Sequence, residues 1–367
     1  MIDPGVDPAV VAWMGRAAGG TVVRAERFVH TRPMWTVDVV RPDGALVELF
    51  ARCDRGPASA LSAVYDLARE ALIVNALTRV GVPTPAFVAY EPQAKVLLLE
   101  RARGRSDFTA IPDAARRERI AQHFIEVIAA LHSVDVESLG LAELGIPRTA
   151  DDLALQELVI GEQLFAASGC EPEPIVTLSQ QWLYANVPRQ DIAPCFLQGD
   201  TGPGNFMFEG DRVTYLVDWE IAHFGDPMED LAAICVRDMV TPFADLPTLF
   251  ARYAEVTAAA VDLDRVRYHR VSKCVRSLFA ILSFTSSPSE APEFKIWQAW
   301  RLLYLKSACQ ALAEAMGVEL DPTPAAGPDE PCDSADVRSL YAHAHRQVER
   351  ARPAMGALAD RAFSRLA

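Results

Sequence analysis

Short runs of β-branched and aromatic residues, separated by turn residues, fill most of the first hundred positions. An amphipathic segment at 8–18 predicts an opening helix, and Pro42-Asp43-Gly44 predicts a turn between two strands. Apolar residues at helical spacing over 58–80, ended by Gly81-Val82-Pro83, predict one further helix. The predicted strands span 21–28, 36–40, 45–52, 87–90 and 95–99. This region therefore predicts a small antiparallel sheet accompanied by helices.

The pattern changes near residue 100, and from Asp113 onward the apolar spacing is mostly that of long amphipathic helices. One β-like island, at 193–220, interrupts the helices. It contains two short apolar strands around the turn Glu209-Gly210-Asp211-Arg212. A loop rich in Pro, Gly and Asp at 321–333 precedes a last predicted helix from about Ala335. We place an N-terminal lobe at 1–100, a hinge at 101–104 and a helical C-terminal lobe at 105–367.

Composition supports a folded protein with two lobes. Half of the 367 residues are hydrophobic and 23% are charged, and roughly 150 residues per domain suggests two domains. Asp and Glu outnumber Lys and Arg by 49 to 35, which leaves a net charge of −14. This charge argues against nucleic acid or an anionic membrane as a partner.

The cysteines, the N-terminal segment and the lengths of the apolar runs indicate the cellular compartment. The seven cysteines are scattered without CxxC pairs, so neither disulfides nor a zinc knuckle is expected. The N-terminal segment has acidic residues and prolines where a signal peptide would be basic and then apolar. No apolar run approaches the length of a membrane span. We therefore expect a cytoplasmic protein.

Polar residues cluster at the strand ends of the island. Antiparallel pairing of its two strands brings Asn205, at the start of one, beside Asp218, at the end of the other. The preceding loop delivers Asp200 to the same place. A carboxamide oxygen and a carboxylate suit Mg²⁺, which takes its other ligands from water and substrate phosphates. The second carboxylate, Asp200, would be free to accept the proton of an attacking hydroxyl.

These residues carry a resemblance to a known family. Gln198-Gly199-Asp200 through Asn205, Asp218-Trp219-Glu220 and the run 225–231 resemble the signature of aminoglycoside phosphotransferase-like kinases. Arg69-Glu70-Ala71 and Leu131-His132-Ser133 match other pieces of the same pattern. The resemblance covers about 19–317 and is strongest to the subgroup that includes kinase-like domains fused to acyl-CoA dehydrogenases. It implies an α+β, protein-kinase-like fold with a small antiparallel-sheet N-terminal lobe and a mainly helical C-terminal lobe.

The resemblance also implies roles for individual residues. Asp200 would be the catalytic base, Asn205 and Asp218 would hold Mg²⁺, and Asp230 would brace the catalytic loop. Glu70 would pair with Arg52, which would grip the phosphates of ATP or GTP in the cleft between the lobes. The resemblance further implies that the backbone of Leu99, Glu100 and Arg101 binds the purine. The loop 29–35, with Arg32, would contact the phosphates. Gln198 and Glu220 would be supporting residues of the site. The burial of Glu70 among apolar neighbours independently favours a cationic partner.

The function implied is a small-molecule kinase that transfers the γ-phosphoryl group to a hydroxyl of a small acceptor. Three features depart from the family pattern: Gln198 replaces a histidine and cannot titrate, the phosphate loop lacks glycine and contains Pro33, and Arg52 replaces a lysine. The first two motivate an alternative, a nucleotide-binding pseudokinase. A second alternative is a kinase of a hydroxyacyl thioester. The acceptor, the choice between ATP and GTP, and the oligomeric state stay open.

Several other polar and aromatic residues have simpler structural explanations. Asp226, Pro227 and Glu229 are typical of a helix start, so we interpret Glu229 as structural. We assign His132 and His223 no catalytic role. Trp219 and the aromatic stripe Trp297, Trp300 and Tyr304 are expected to pack in the core. The acidic residues Glu157, Glu162, Glu171 and Glu173 would suit a cationic acceptor or equally a solvated surface.

Overall fold

The computed structural model describes residues 2–28, 32–54, 64–240, 242–285 and 292–318. The predicted α+β organisation is confirmed: a small antiparallel sheet comes first and a mainly helical region follows. The predicted helix near Ala335 and the whole of the predicted loop at 321–333 lie outside the described residues. Among the helices that are described, none combines the length and hydrophobicity needed to cross a membrane.

Five antiparallel strands form the N-terminal sheet in the order β1-β2-β3-β5-β4. Alternate residues are buried along its strands, as in β2, because successive side chains point to opposite faces. One face packs against helix α1 (Pro8–Ala17) in a core that includes Met14, Val37 and Leu98. The strands are β1 (Thr21–Phe28), β2 (Met34–Val40), β3 (Leu46–Cys53), β4 (Phe87–Glu91) and β5 (Val96–Glu100).

Helix α2 (Leu67–Arg79) begins later than its hydrophobic pattern predicts. Residues 58–63 lie outside the described residues, and 64–66 form a turn rather than helix. The carboxylate of Asp66 accepts a hydrogen bond of 2.8 Å from the amide of Arg69, so Asp66 is the N-cap and fixes the start. The helix buries Glu70 together with Ile73, Val74 and Leu77.

The described residues form two compact units that do not follow the order of the chain. The first unit comprises the described residues within Met1–Ile146, Cys195–Phe224 and Phe243–Ala259, and the second comprises those within Pro147–Pro194, Gly225–Pro242 and Ala260–Ala367. The lobe boundary at 101–104 stays a prediction. The helices after the sheet are α3 (Ala114–His132), α4 (Ala150–Ala167), α5 (Pro174–Ala185), α6 (Pro227–Val240), α7 (Leu246–Thr257), α8 (Leu263–Thr285) and α9 (Pro292–Met316).

The predicted island is present in the first unit. Strands β7 (Phe206–Glu209) and β8 (Arg212–Leu216) pair antiparallel around the predicted turn, and β6 (Cys195–Leu197) precedes them. The sequence pattern missed β9 (His223–Gly225), which pairs with β6. Gly104 has φ +96°, and a Cβ there would lie 2.7 Å from the carbonyl oxygen of Phe208, so only glycine permits this close approach to β7.

The second unit has an apolar core built from its helices. Tyr304 is buried in this core, and Trp297 and Trp300 pack against it, which confirms the expectation for the aromatic stripe. In the first unit Trp219 is 2% exposed and its indole nitrogen donates to the Thr84 hydroxyl at 2.9 Å, so it packs as expected. The six described cysteines form no disulfide with one another, as predicted.

Candidate active site

A glycine sets the conformation of the predicted catalytic loop. Gly199 adopts φ +79°, and a Cβ at this position would lie 2.6 Å from the carbonyl oxygen of Ile221, so a side chain is excluded. The preceding side chain, Gln198, is fully buried. Its carboxamide nitrogen donates to the carbonyl oxygens of Asn205 at 3.0 Å and Val217 at 2.7 Å. Gln198 therefore ties the loop to the ends of both island strands, an orienting role that needs no titratable proton.

Asp200 and Asn205 are in direct contact. The Asn205 carboxamide nitrogen donates to the backbone oxygen and to Oδ2 of Asp200, both at 2.8 Å. The amide of Val217, the residue before Asp218, donates to the backbone oxygen of Asn205 at 3.0 Å. These bonds hold Asp200 and Asn205 at the end of the hairpin where Asp218 begins. The sequence prediction that the loop and the two strand ends meet is confirmed.

Asp218 has an unusual backbone conformation. Its φ is +66°, one of three positive values at non-glycine positions among the described residues. Asp tolerates this left-handed region better than most side chains, and residues in sparsely populated conformations concentrate at functional sites. Its Oδ1 accepts a hydrogen bond of 2.8 Å from Nη2 of Arg52 on β3. The side chain is 24% exposed, so it stays partly accessible to solvent.

Two arginines and three carboxylates form a connected ion-pair network in the first unit. Arg52 Nε lies 3.1 Å from Oε1 of Glu70, which confirms the predicted Arg52–Glu70 pair, and Arg52 Nη2 lies 3.7 Å from Glu220. Arg32 also contacts both Glu70, at 3.5 Å, and Glu220. Glu70 is 2% exposed and Arg32 is 4% exposed. The three carboxylates, including Asp218, exceed the two guanidinium groups by one negative charge.

Burial and neighbouring charges shift the pKa values of the network residues in opposite directions. Desolvation raises the pKa of Glu70, and its attraction to Arg52 and Arg32 only partly offsets that effect. For Arg52, burial disfavours the charged form, but Glu70, Asp218 and Glu220 together outweigh it and raise the pKa of the guanidinium. Arg52 is therefore a permanent cation in the site.

The segment after β8 is also tied to helix α2. The guanidinium of Arg69 donates to the backbone oxygen of Glu220 at 3.0 Å and to that of Ala222. Arg69 and Glu70 are neighbours on α2, so one turn of helix anchors both the backbone of this segment and the ion-pair network. The sequence marked Arg69-Glu70 as a motif but did not reveal this backbone contact.

Two side-chain oxygen atoms at this end of the hairpin suit a metal ion. The Asn205 carboxamide oxygen and Asp218 Oδ2 accept no hydrogen bond from the part of the chain that the structure describes. Both are hard oxygen ligands of the kind Mg²⁺ prefers, and Mg²⁺ commonly uses only one or two protein ligands beside phosphates and water. Within the described ranges, no three His, Cys, Asp or Glu side chains form a metal-binding cluster. The pair therefore fits a magnesium ion that shares its coordination with a nucleotide.

The predicted purine-binding backbone is partly engaged within the fold. The amide of Glu100 donates to Ala86 at 2.8 Å and that of Arg101 to Glu48 at 3.1 Å. The Arg101 side chain folds back over the sheet onto the carbonyl of Val37 and the carboxylate of Asp38. Ala102 follows, and its amide has no partner among the described residues. The amide of Ala102 is thus the first backbone donor after β5 that a ligand could use.

Asp230 lies on α6 in the second unit, where it is fully buried. Its bracing of the catalytic loop stays a prediction. Asp226 caps α6 as predicted, since Oδ1 accepts from the amide of Met228 at 2.8 Å. The same carboxylate also accepts from Arg265, at 2.7 Å from Nε, and lies 3.1 Å from His269 Nε2. Burial raises the pKa of Asp226, but His269 and Arg265 overcome that effect and lower it to about 2.

The acidic residues left open between acceptor binding and a solvated surface are mostly engaged in structural contacts. Glu157 is buried 4.0 Å from Arg276, Glu162 accepts from Gln180, and Glu173 pairs with Arg301. Glu229 also pairs with Arg276, consistent with the structural interpretation. The two histidines that received no catalytic role also make structural contacts: His132 meets the Tyr253 hydroxyl at 2.8 Å, and His223 meets the carbonyl oxygen of Ile221 at 2.8 Å.

Comparisons with known proteins agree with this geometry. The model of the phosphotransferase enzyme family matches residues 43–269. Acyl-CoA dehydrogenase family member 11 of Rattus norvegicus is 32% identical over 187 residues, which cover 48% of this chain. The chain spans only 24% of the length of that relative. The match confirms the predicted resemblance to the subgroup associated with acyl-CoA dehydrogenases.

Solved structures share the fold at low sequence identity. A candidate aminoglycoside phosphotransferase from Ralstonia eutropha has a TM-score of 0.63 and 20% identity, and the match covers 83% of this chain and 97% of that one. A thermostable mutant of aminoglycoside phosphotransferase APH(4)-Ia, in ternary complex with AMP-PNP and hygromycin B, has a TM-score of 0.55 and 15% identity over 84% and 97% of the two chains. The predicted protein-kinase-like fold, with its small antiparallel-sheet lobe and helical lobe, is confirmed.

Proposed function

The chain belongs to the phosphotransferase enzyme family, and from this premise we propose that it is a small-molecule kinase that transfers the γ-phosphoryl group of ATP or GTP to an acceptor hydroxyl. One observation carries the proposal. The bonds among Asp200, Asn205 and Val217 join a carboxylate base to the two oxygen ligands, Asn205 and Asp218, at one end of a hairpin. Phosphoryl transfer needs this combination of a proton acceptor and a cation site.

Asp200 is the proposed proton acceptor. The acceptor hydroxyl attacks the γ-phosphorus, the bond to the bridging β,γ-oxygen breaks, and the hydroxyl proton passes to Asp200 as the nucleoside diphosphate leaves. The Asn205 carboxamide orients the carboxylate by donating to its Oδ2.

Arg52 is the proposed phosphate-binding cation. Glu70 and Asp218 hold its Nε and Nη2, so the planar guanidinium is oriented before the nucleotide arrives. When bound at Asn205 and Asp218, Mg²⁺ would neutralise phosphate charge. The surplus negative charge of the network is suited to a divalent cation. Arg32 contributes less directly, because both Glu70 and Glu220 already engage it.

Ala102 is the proposed donor to the purine. Its amide is the first after β5 without a partner in the described part of the chain, whereas the amides of Glu100 and Arg101 complete the fold. The nucleotide complex of the structural neighbour, which contains AMP-PNP and hygromycin B, supports a nucleotide and a small hydroxylated molecule as the two substrates.

The experiment measures Mg²⁺-dependent release of nucleoside diphosphate across a panel of hydroxylated small molecules, with ATP and with GTP. Asp200→Asn should retain the thermal shift caused by Mg²⁺ and nucleotide but lose transfer by at least about 100-fold, because the proton acceptor is removed. Asp218→Ala should lose the Mg²⁺-dependent part of that shift. Asp191→Asn, an exposed aspartate of the second unit, is the matched control and should match wild type.

Two results would contradict the proposal. A full Mg²⁺-nucleotide thermal shift in Asp218→Ala would show that the metal assignment is wrong. Equal release rates in wild type and Asp200→Asn would show that the chain binds nucleotide without transferring its phosphate.

A further inference from the structure

A cavity of about 280 Å³ lies within the second unit, and none of the residues assigned to phosphoryl transfer lines it. It is formed by the end of α5, the segment after it and the beginning of α8. This volume is slightly below the roughly 300–1,000 Å³ of pockets for drug-sized ligands, so it suits a small molecule. The residues that carry the argument are Trp182, Arg189, Gln190, Arg265, Arg267 and Tyr268.

Positive side chains dominate the lining of this cavity although the chain carries a net charge of −14. Arg189, Arg265 and Arg267 line it, against one carboxylate, Asp264. Side-chain exposures of 73% for Arg189 and 49% for Arg267 place these two at the solvent-facing rim. Arg265 is 9% exposed and lies deeper.

Carboxylates hold each of the three guanidinium groups in position. Arg189 donates to Asp151 and Arg267 to Asp264, in each case through Nη1 alone, while Arg265 uses Nε and Nη2 on Asp226. A guanidinium has five N–H donors, so each arginine keeps donors that its partner does not use. The cavity is therefore rich in oriented donors.

Aromatic rings form another part of the lining. The rings of Trp182 and Tyr268 lie 6.0 Å apart at an angle of 35°. The Tyr268 hydroxyl is buried and makes no hydrogen bond within the described residues. Both residues line the cavity, so their rings suit a flat, apolar group of a ligand.

We propose that this cavity binds a small aromatic anion, in which a carboxylate or phosphate monoester is carried on a flat, apolar ring. The ring would pack against Trp182 and Tyr268, and the anionic oxygens would accept from Arg189, Arg265 and Arg267. Bidentate recognition of such oxygens is the characteristic use of arginine. A polycation is disfavoured in the same cavity by the three guanidinium groups.

The test measures binding to the full chain by calorimetry with phenyl phosphate and benzoate as probes. Phenol, benzylamine and inorganic phosphate are the comparison compounds. Saturable binding of phenyl phosphate or benzoate, at least about tenfold tighter than any comparison compound, supports the proposal. Whichever of the two binds identifies the anion as phosphate or carboxylate. Binding of neither, or equal binding of phenol, benzylamine or inorganic phosphate, overturns it.

Variants locate the binding. Arg189→Gln and Arg267→Gln should each weaken the probe by about tenfold, and their exposed side chains make loss of folding a poor explanation. Tyr268→Phe removes only the hydroxyl, which is closed to solvent, and keeps the ring, so it should bind the probe as wild type does. Arg148→Gln, an exposed arginine of the same unit outside the cavity, is the matched control and should bind like wild type. Unchanged affinity in both arginine variants overturns the proposal.

A last variant separates this site from the nucleotide site. Asp218→Ala should bind the probe as wild type does, whereas loss of probe binding in Asp218→Ala would place the probe at the nucleotide site and overturn the proposal. The cavity variants should retain the Mg²⁺-nucleotide thermal shift. Failure of phosphoryl transfer would leave these binding results unaffected, so the two proposals can fail independently.

Discussion

Arg52 contacts carboxylates from helix α2 and from the segment that follows β8. Removing Arg52 would leave carboxylates without their cation. A buried carboxylate without its partner destabilises the fold by more than the intact ion pair stabilises it. Glu70 is 2% exposed, whereas the side chains of Asp218 and Glu220 are 24% and 20% exposed. Glu70 is therefore the group that most needs the arginine.

Arg52→Met should lower the free energy of unfolding by about 3 kcal/mol, in the range found for breaking buried ion pairs. Arg32 still contacts Glu70, so the loss should not exceed that range. The double variant Arg52→Met/Glu70→Leu should recover part of the loss, because it also removes the buried charge. Urea denaturation of wild type and both variants measures this, and a change below about 0.5 kcal/mol in Arg52→Met would contradict it.

Ala102→Pro should weaken nucleotide binding by up to about tenfold, because proline has no amide hydrogen and one hydrogen bond contributes roughly 0.5–1.5 kcal/mol. Ala102→Ser keeps the amide and is the matched control. Titration calorimetry with ATP and Mg²⁺ gives both affinities. Equal affinities for Ala102→Pro and Ala102→Ser would assign the purine contact to another residue.

Residue roles could be predicted from the sequence only where short motifs contain them. Asp200, Asn205 and Asp218 lie within one hairpin and its loop, so local pairing brings them together and their proximity was predictable. The partners of Asp226 are 39 and 43 residues further along the chain, at Arg265 and His269. No periodicity relates such distant positions, and a capping motif alone explained Asp226 adequately.

Elements with a strong local pattern were predicted best. The five strands of the N-terminal sheet are located to within one or two residues, because turn residues and alternating burial mark them. Strand β9 was missed because its histidine and glycine do not have the composition of an apolar strand, whereas the equally short β6 consists of three apolar residues. The start of α2 was predicted too early because the apolar spacing extends to the N-terminal side of Asp66, the residue that caps the helix.

Strand β8 is linked to helix α3 by a pH-sensitive contact. Nδ1 of His123 accepts from the amide of Val213 at 2.9 Å, so the imidazole must be neutral at this nitrogen. Burial, followed by repulsion from Arg212, lowers the pKa of His123 below its ordinary 6.5. The unfolded chain therefore takes up the proton first, and the stability that this histidine contributes is present above pH 6.5 and is lost as pH falls below it.

His123→Asn should make the unfolding free energy less dependent on pH between about 7.5 and 5, since a carboxamide accepts a hydrogen bond without titrating. At pH 7.5 the variant should be nearly as stable as wild type. Denaturant titrations at several pH values provide the measurement. Parallel pH profiles for wild type and His123→Asn would show that His123 does not titrate between the folded and unfolded states.

At the scale of the whole molecule, family and fold were predictable because the motif residues occur in a fixed order along most of the chain. The division into two units was not, since each unit is assembled from segments that are far apart in sequence. Segments 195–224 and 243–259 belong with the N-terminal sheet, although long helices separate them along the chain. The cavity of the second unit likewise combines residues near 182–190 with residues near 264–268.

The division into two units predicts which backbone amides each ligand should protect from hydrogen exchange. The proposed nucleotide contacts, Arg52, Ala102, Asn205 and Asp218, all lie in the first unit, so AMP-PNP with Mg²⁺ should slow amide exchange directly at 96–102 and 197–220. Phenyl phosphate should slow exchange at 182–190 and 264–268. Hydrogen exchange followed by mass spectrometry distinguishes these segments.

The combined experiment tests whether the two sites affect each other. If bound nucleotide changes the affinity for phenyl phosphate, linkage requires phenyl phosphate to change the affinity for nucleotide by the same factor. Calorimetric titration of each ligand, in the absence and in the presence of a saturating concentration of the other, gives the two halves of this relation. Direct protection by nucleotide at 182–190, without protection at 197–220, would contradict the assignment of the nucleotide to the first unit.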